Sequence, residues 1–160
     1  MGAKRQVVSP FRKETLIMIK WTEKFETGNP LLDAQHRMLI SYINRLEEFG
    51  RLRNPSPEEL DLFLRVLEFL ETYALTHFKD EEECMARFRC PAYRENKQAH
   101  SEFLDFFRGF SRRLKLEGCQ PELVQELYLA CVVWIQRHIL RIDVQLKASI
   151  QQAPVPGGQD

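Results

Sequence analysis

The residues best suited to chemistry lie near the end of a long amphipathic segment, in the stretch from Thr76 to Met85. The apolar stripe of this segment has helical spacing, and continuing that spacing reaches His77 and then Glu81. Because residues four apart lie one above the other on a helix, both side chains should point into the core. A buried carboxylate needs an ionic partner or a metal. The stretch therefore predicts a buried imidazole–carboxylate pair that takes further ligands from elsewhere in the chain.

Histidine occurs only four times in the sequence, once on the apolar stripe of each of four amphipathic segments. If the segments alternate in direction, the four positions fall at similar heights in a bundle, where metal sites are built from facing helices. Two carboxylates complete the set, Glu81 four residues after His77 and Asp143 five residues after His138. The candidate metal ligands are His36, His77, Glu81, His100, His138 and Asp143.

Asp143 follows His138 by five residues, which is not a helical repeat. Because an α-helix turns by roughly 100° per residue, this step rotates the carboxylate well away from the direction of His138. We therefore expect Asp143 to approach the site from its flank, as suits a bridging ligand. Imidazole and carboxylate suit iron, zinc or manganese. The set is larger than a tetrahedral zinc site uses, so two bridged metals fit it better.

A purely structural interpretation of these residues is the alternative. A single histidine on an apolar stripe is usually a core residue with a satisfied hydrogen bond. Glu81 could pair with one such histidine, and Asp143 could be exposed near the end of its helix. One histidine on each of four helices favours the metal site over this alternative.

The elements that would position these residues are four long helices joined by short loops, which predict an all-α, up-down-up-down four-helix bundle. We expect an N-terminal arm over residues 1–20, the bundle over 21–150 and a disordered tail over 151–160, with Met18 as an alternative translation start. The second helix begins at a capping box, Ser56-Pro57-Glu58-Glu59. We expect the four helices at roughly 31–50, 57–88, from Cys90-Pro91 to Gly118, and from Gln120 onward. The apolar stripe of the second helix is expected to consist of Leu60, Phe63, Leu64, Leu67, Leu70 and Ala74.

Composition excludes several other classes of protein. The 160 residues contain 23 basic and 23 acidic side chains, so no overall charge favours nucleic acid or an anionic membrane. No apolar run reaches transmembrane length, and the run at residues 16–19 is too short for a signal peptide. We therefore expect a cytoplasmic protein whose four cysteines are thiols.

Several motifs together resemble those of bacterial hemerythrins over roughly residues 21–147. They are Trp21, Asp33-Ala-Gln-His36, His77-Phe-Lys-Asp-Glu81-Glu-Glu-Cys-Met85, Pro91 with His100 and Phe103, and Trp134-Ile-Gln-Arg-His138-Ile-Leu-Arg-Ile-Asp143. That family binds O2 reversibly at a non-haem di-iron centre. The resemblance implies that His36 and His77 hold the iron that receives O2, that His100 and His138 hold the other, and that Glu81 and Asp143 bridge them.

The sequence departs from the family at one ligand. Asn96 stands where the resemblance places a third histidine for the second iron, and an amide is a poor iron ligand. Glu95 points about 100° away from Asn96 and is expected at the surface. With Asn96, both irons would have an open position, which favours autoxidation or peroxide turnover, or only one iron would be retained.

Three functions follow from these expectations. The first is a di-iron protein that carries, stores or senses O2 or a related ligand such as peroxide or NO. The second is a di-iron redox enzyme of peroxidase or oxidase type. The third is a mononuclear or metal-poor signalling module. The sequence contains no motif for nucleic-acid binding, and we predict no membrane partner.

Overall fold

A computed structural model describes residues 18–153, and within that range it contains helices and no strands. The predicted N-terminal arm lies largely outside the described residues, as does most of the predicted tail. The described part of the arm runs along the first helix, where Asn44 donates to the carbonyl of Ile19 at 2.9 Å and accepts from its amide at 3.0 Å. A short 3-10 turn at Glu23–Phe25 leads into the bundle.

Four long helices form the bundle, and a fifth, short helix continues the last of them. They are α1 at Pro30–Gly50, α2 at Pro57–Arg87, α3 at Tyr93–Glu117, α4 at Pro121–His138 and α5 at Gln145–Gln151. Consecutive helices pack side by side and α4 closes the ring against α1, so the predicted four-helix bundle is confirmed.

Local sequence explains where the helices begin. Asn29 caps α1 by accepting from the amide of Leu31 at 2.9 Å. At the start of α2, Ser56 and Glu59 form the predicted capping box: each side chain accepts from the other residue's backbone amide, at 3.2 and 2.7 Å. Proline occupies the first position of α1, α2 and α4, where its missing amide proton costs nothing.

The fourth helix differs from the regular α-helix that we assumed. Residues Ile139–Asp143 form one π-helical turn, in which the amide of Val144 donates to the carbonyl of Ile139 at 3.1 Å. In a π turn the backbone hydrogen bond spans five residues, whereas in an α-helix it spans four. The five-residue step from His138 to Asp143 therefore completes a turn, and the expected displacement of Asp143 to the flank is wrong.

The core is divided into two apolar clusters. The larger extends along most of the bundle and includes Leu46, Phe63, Phe110 and Leu127. The smaller lies at one end and consists of Leu32, Met85, Cys90, Ala92, Ile142 and Leu146. One predicted core residue is misplaced, because Leu64 is 37% exposed and Val66 is buried in its stead. All four cysteines are free thiols.

None of the helices within residues 18–153 combines the length and the apolar character that crossing a lipid bilayer would require.

Candidate metal centre

Six of the side chains selected from the sequence meet inside the bundle. Each is at most 5% exposed, and each helix of the ring contributes at least one of them. Their positions in the chain are His36 on α1, His77 and Glu81 on α2, His100 on α3, His138 at the end of α4, and Asp143 on the π turn.

The histidines divide into two groups that share Glu81. His36 and His77 form one group with Glu81, which we term the first half-site. His100 and His138 form the other, the second half-site. Within each group the nitrogen and oxygen atoms that could bind a cation lie within 4.8 Å of one another. The arrangement thus has room for a cation on each side of one carboxylate.

Both carboxylates direct one oxygen to each half-site. For Glu81, Oε1 lies 3.6 Å from Nε2 of His36, and Oε2 lies 3.3 Å from Nε2 of His100. For Asp143, Oδ2 lies 3.4 Å from Nε2 of His36, and Oδ1 lies 3.1 Å from Nε2 of His138. A carboxylate placed in this way can bridge two cations.

Unpaired polar atoms mark the same place. Within residues 18–153, the buried side-chain nitrogen and oxygen atoms that lack a hydrogen bond all belong to this cluster and its neighbour Asn96. They are His36 Nδ1 and Nε2, Glu81 Oε1, Asn96 Oδ1, and Asp143 Oδ1 and Oδ2. An unsatisfied buried polar atom costs about 1–3 kcal/mol. Cations bound between the nitrogen and carboxylate atoms would satisfy most of them, so the donor set fits a metal centre.

Burial also keeps two of the imidazoles neutral, as metal ligands must be. Burial, together with the neighbouring His36, lowers the pKa of His77 to about 3. Burial and the neighbouring His138 lower the pKa of His100 to about 4. Both rings therefore present a lone pair at neutral pH.

The carboxylates are shifted in opposite directions. Burial and the charge of Asp143 raise the pKa of Glu81. Burial alone would raise the pKa of Asp143 as well, but His138 and His36 outweigh it and lower that pKa. Burial likewise opposes protonation of His36, but Asp143 and Glu81 outweigh it and raise the pKa of that ring. The raised pKa values of His36 and Glu81 favour the protonated form of both groups, and cation binding would oppose that protonation.

His77 is oriented by a chain of hydrogen bonds that we did not predict. Asp80 Oδ2 accepts from Nε2 of Gln35 at 2.7 Å, which turns the amide oxygen of Gln35 toward His77. That oxygen lies 3.0 Å from Nδ1 of His77. Because an amide oxygen only accepts, Nδ1 carries the proton and Nε2 is free to bind a cation.

His100 is held in a similar way on the other side. Its Nδ1 lies 3.1 Å from Oε1 of Glu82, and Lys97 lies 3.9 Å from the other oxygen of that carboxylate. A carboxylate on the outer nitrogen of a histidine fixes the tautomer and strengthens the inner nitrogen as a ligand. The sequence did not predict the roles of Gln35 and Glu82, because each residue contacts a histidine on another helix. The available signal was their position in the chain, directly beside the predicted ligands His36 and Glu81.

The chain through Gln35 makes the first testable prediction. Gln35→Glu places a carboxylate against Asp80, and the repulsion should turn it away from His77. We expect metal affinity, measured by competition with a chelator, to fall by roughly 10–100-fold, the usual effect of losing such a partner. In the double variant with Asp80→Asn, the amide at position 80 donates to the new carboxylate at position 35, and that carboxylate accepts from Nδ1 of His77. The double variant should therefore regain most of the metal affinity. A double variant as weak as the single one would contradict the positioning role of Gln35.

Comparison with known proteins shows what kind of chain has this centre. Residues 27–149 match the family profile described as the hemerythrin HHE cation binding domain. The chain belongs to the hemerythrin family. The family resemblance stated from the sequence motifs is thus confirmed.

Relatives from distant organisms match nearly their whole length. The chain is 28% identical over 127 residues to the bacteriohemerythrin of Clostridium acetobutylicum, and the aligned region covers 79% of this chain and 96% of that protein. It is 27% identical over 127 residues to the bacteriohemerythrin of Aquifex aeolicus, covering 79% and 93%. A hemerythrin-like protein of Naegleria gruberi is 25% identical over 128 residues, covering 79% and 89%. This hemerythrin is therefore a metal-binding protein, of a family whose metal is non-haem iron.

Asn96 lies at the edge of the hemerythrin's second half-site and is fully buried. Its Nδ2 donates to Oε2 of Glu81 at 3.1 Å. Its Oδ1 has no hydrogen bond. Asn96 thus holds the shared carboxylate through its amide nitrogen and leaves an unused acceptor beside the second half-site.

Aromatic rings pack against the histidines of the hemerythrin centre. Phe78 stacks on His100 with ring centroids 3.7 Å apart, and Trp134 stacks on His138 at 4.3 Å. Trp21 lies over His36 at 6.4 Å. These rings reduce the access of water and fix the planes of the imidazoles against which they stack.

Proposed function

We propose that this hemerythrin binds O2 reversibly at a di-iron centre, as a cytoplasmic carrier, store or sensor of O2. The observation that carries the proposal is that Glu81 and Asp143 each present one oxygen to either half-site. A mononuclear site has no use for two carboxylates with this geometry. His36 and His77 would hold the iron of the first half-site, and His100 and His138 that of the second.

The two irons would supply the reversible redox change that O2 binding requires. The protein's own residues would supply the ligands of the irons, orient them and exclude water. Neutral imidazoles at His77 and His100 offer lone pairs, and hydrogen bonds to Gln35 and Glu82 hold those rings in place. Glu81 and Asp143 are fully buried, so their negative charges would attract the cations without screening by water.

A second candidate function rests on Asn96. The second half-site has two histidines and the two shared carboxylates, and the further buried side chain beside it with an unused acceptor, among residues 18–153, is the amide of Asn96. An additional open position on the second iron favours irreversible oxidation, so a redox enzyme of peroxidase or oxidase type is the alternative.

Iron analysis combined with visible spectra tests both candidates. The reduced, iron-loaded protein is examined before and after O2 is admitted, and again after O2 is removed. Two irons per chain and a charge-transfer band that disappears on deoxygenation would support O2 binding. Two irons with immediate and permanent oxidation would support the redox enzyme instead. One iron or none per chain would contradict both and leave a mononuclear or metal-poor module.

A further inference from the structure

The two half-sites differ in their access to the surface. A groove of about 580 Å³ runs between α3 and α4, and His138 forms part of its wall. The rest of the wall is largely apolar and includes Ala99, Val133 and Trp134. Neither His36 nor His77 borders this groove. A small molecule entering between α3 and α4 would therefore meet the second half-site first.

The charges beside the groove favour an anion. Arg137 and Arg141 lie one helical turn apart on its wall, and both are exposed. Within the described residues, neither guanidinium has a carboxylate within ion-pair distance. The opposing charge on the wall is Glu95 of α3, so one positive charge remains in excess. Unpaired arginines along a channel raise the local concentration of anions, whereas they do nothing for neutral O2.

A second groove reaches the same half-site but is less suited to an anion. It has a volume of about 470 Å³, lies between α2 and α3, and borders His100. Glu82 and Glu83 line it, and Glu82 already occupies the outer nitrogen of His100. Lys79 and Lys97 pair with these two carboxylates, so this entrance has no excess positive charge to attract an anion.

We propose that this hemerythrin binds a small monoanion, of the class of azide or nitrite, at the second half-site, and that the anion enters through the groove between α3 and α4. The proposal rests on the di-iron function proposed above. It adds a ligand position on the side where Asn96 supplies no imidazole, in addition to the position that the family resemblance assigns to the first half-site.

Azide is the probe that tests this position. Iron content is measured first, and the oxidised, iron-loaded protein is then titrated with azide by calorimetry and visible spectroscopy. We expect two azide ions per chain in the unaltered protein and one in the Asn96→His variant, whose added imidazole would occupy the second position. One azide per chain in both proteins would overturn the proposal while leaving the di-iron function intact. Fewer than two irons per chain would overturn both.

Charge variants test the entrance separately. The double substitution Arg137→Gln with Arg141→Gln should weaken the second azide by about tenfold, since two partly screened charges are lost, and leave the first azide unchanged. Arg53→Gln with Arg112→Gln removes the same charge at positions that do not line the groove, and serves as the matched control. Equal weakening by the two double variants would overturn the groove as the entrance. Ala99→Phe, which fills the groove without changing charge, should slow binding of the second azide at least tenfold, and an unchanged rate would also overturn it.

Discussion

A chain in which Glu81 is replaced by glutamine should retain almost no iron. Glu81 belongs to both half-sites, with one oxygen 3.6 Å from His36 and the other 3.3 Å from His100. Glutamine has the same shape but supplies one weak acceptor and no charge. The loss of a direct ligand should exceed the roughly 10–100-fold effect of losing an outer hydrogen-bond partner. We therefore expect iron per chain, measured after gel filtration with a weak chelator, to fall from the two of the proposed centre to well below one.

A control variant and a stability measurement show whether this result is specific to Glu81. Glu83→Gln removes the same charge from the same helix, but Glu83 is exposed and pairs with Lys79, so its iron content should be unchanged. The metal-free Glu81→Gln protein should unfold at the same temperature as the metal-free parent or higher, because a buried ionisable group has been replaced by a neutral one. Full retention of both irons in Glu81→Gln would contradict a bridging role for this carboxylate.

If O2 binds as proposed, replacing Asn96 with histidine should slow autoxidation of the O2 adduct by at least about tenfold, the lower end of the 10–100-fold effects that contacts around a metal have on its affinity or activity. Asn96 is fully buried beside Glu81, so an imidazole there lies within reach of the second half-site. It would occupy the open position of the second iron and leave only the first half-site for O2. The half-life of the O2 charge-transfer band at a fixed temperature measures the change.

The larger side chain should also lower the stability of the fold, and thermal unfolding measures this effect separately from autoxidation. Enlarging a packed side chain typically costs about 1–3 kcal/mol, so the metal-free Asn96→His protein should unfold at a lower temperature than its parent. Gln98→His adds an imidazole to the exposed face of the same helix and should change neither stability nor autoxidation. Autoxidation as fast in Asn96→His as in the parent would show that Asn96 does not limit the lifetime of the O2 adduct.

Much of this centre could be predicted because helical periodicity determines which residues share a face. His77 and Glu81 are four residues apart, and a regular helix brings both into the core. The burial of all four histidines followed from their positions on apolar stripes, and the proline and capping signals placed the helix starts within a few residues. The predicted ligands all lie in one cluster, although their binding of iron stays a prediction.

The features that escaped prediction depend on geometry beyond a single regular helix. The π turn at 139–143 cannot be read from a pattern that assumes a constant rotation per residue, so the direction of Asp143 was wrong. Leu64 has the correct residue type and nearly the correct spacing, but the second helix turns Val66 inward in its place. Gln35 and Glu82 act across helices, and contacts of that kind depend on how the helices are rotated against one another.

The position of the polar cluster has a consequence for how the bundle unfolds. It lies between the larger apolar cluster and the smaller one formed around Met85 and Leu146. Without a cation, six buried nitrogen and oxygen atoms in the layer between the two clusters lack a hydrogen bond, and such a layer is a natural boundary between cooperative units. We therefore expect the end of the bundle containing Met85 to open more readily than the remainder when no cation is bound. A cation bound by these ligands would connect the two clusters, and we expect the metal-loaded hemerythrin to unfold as a single cooperative unit.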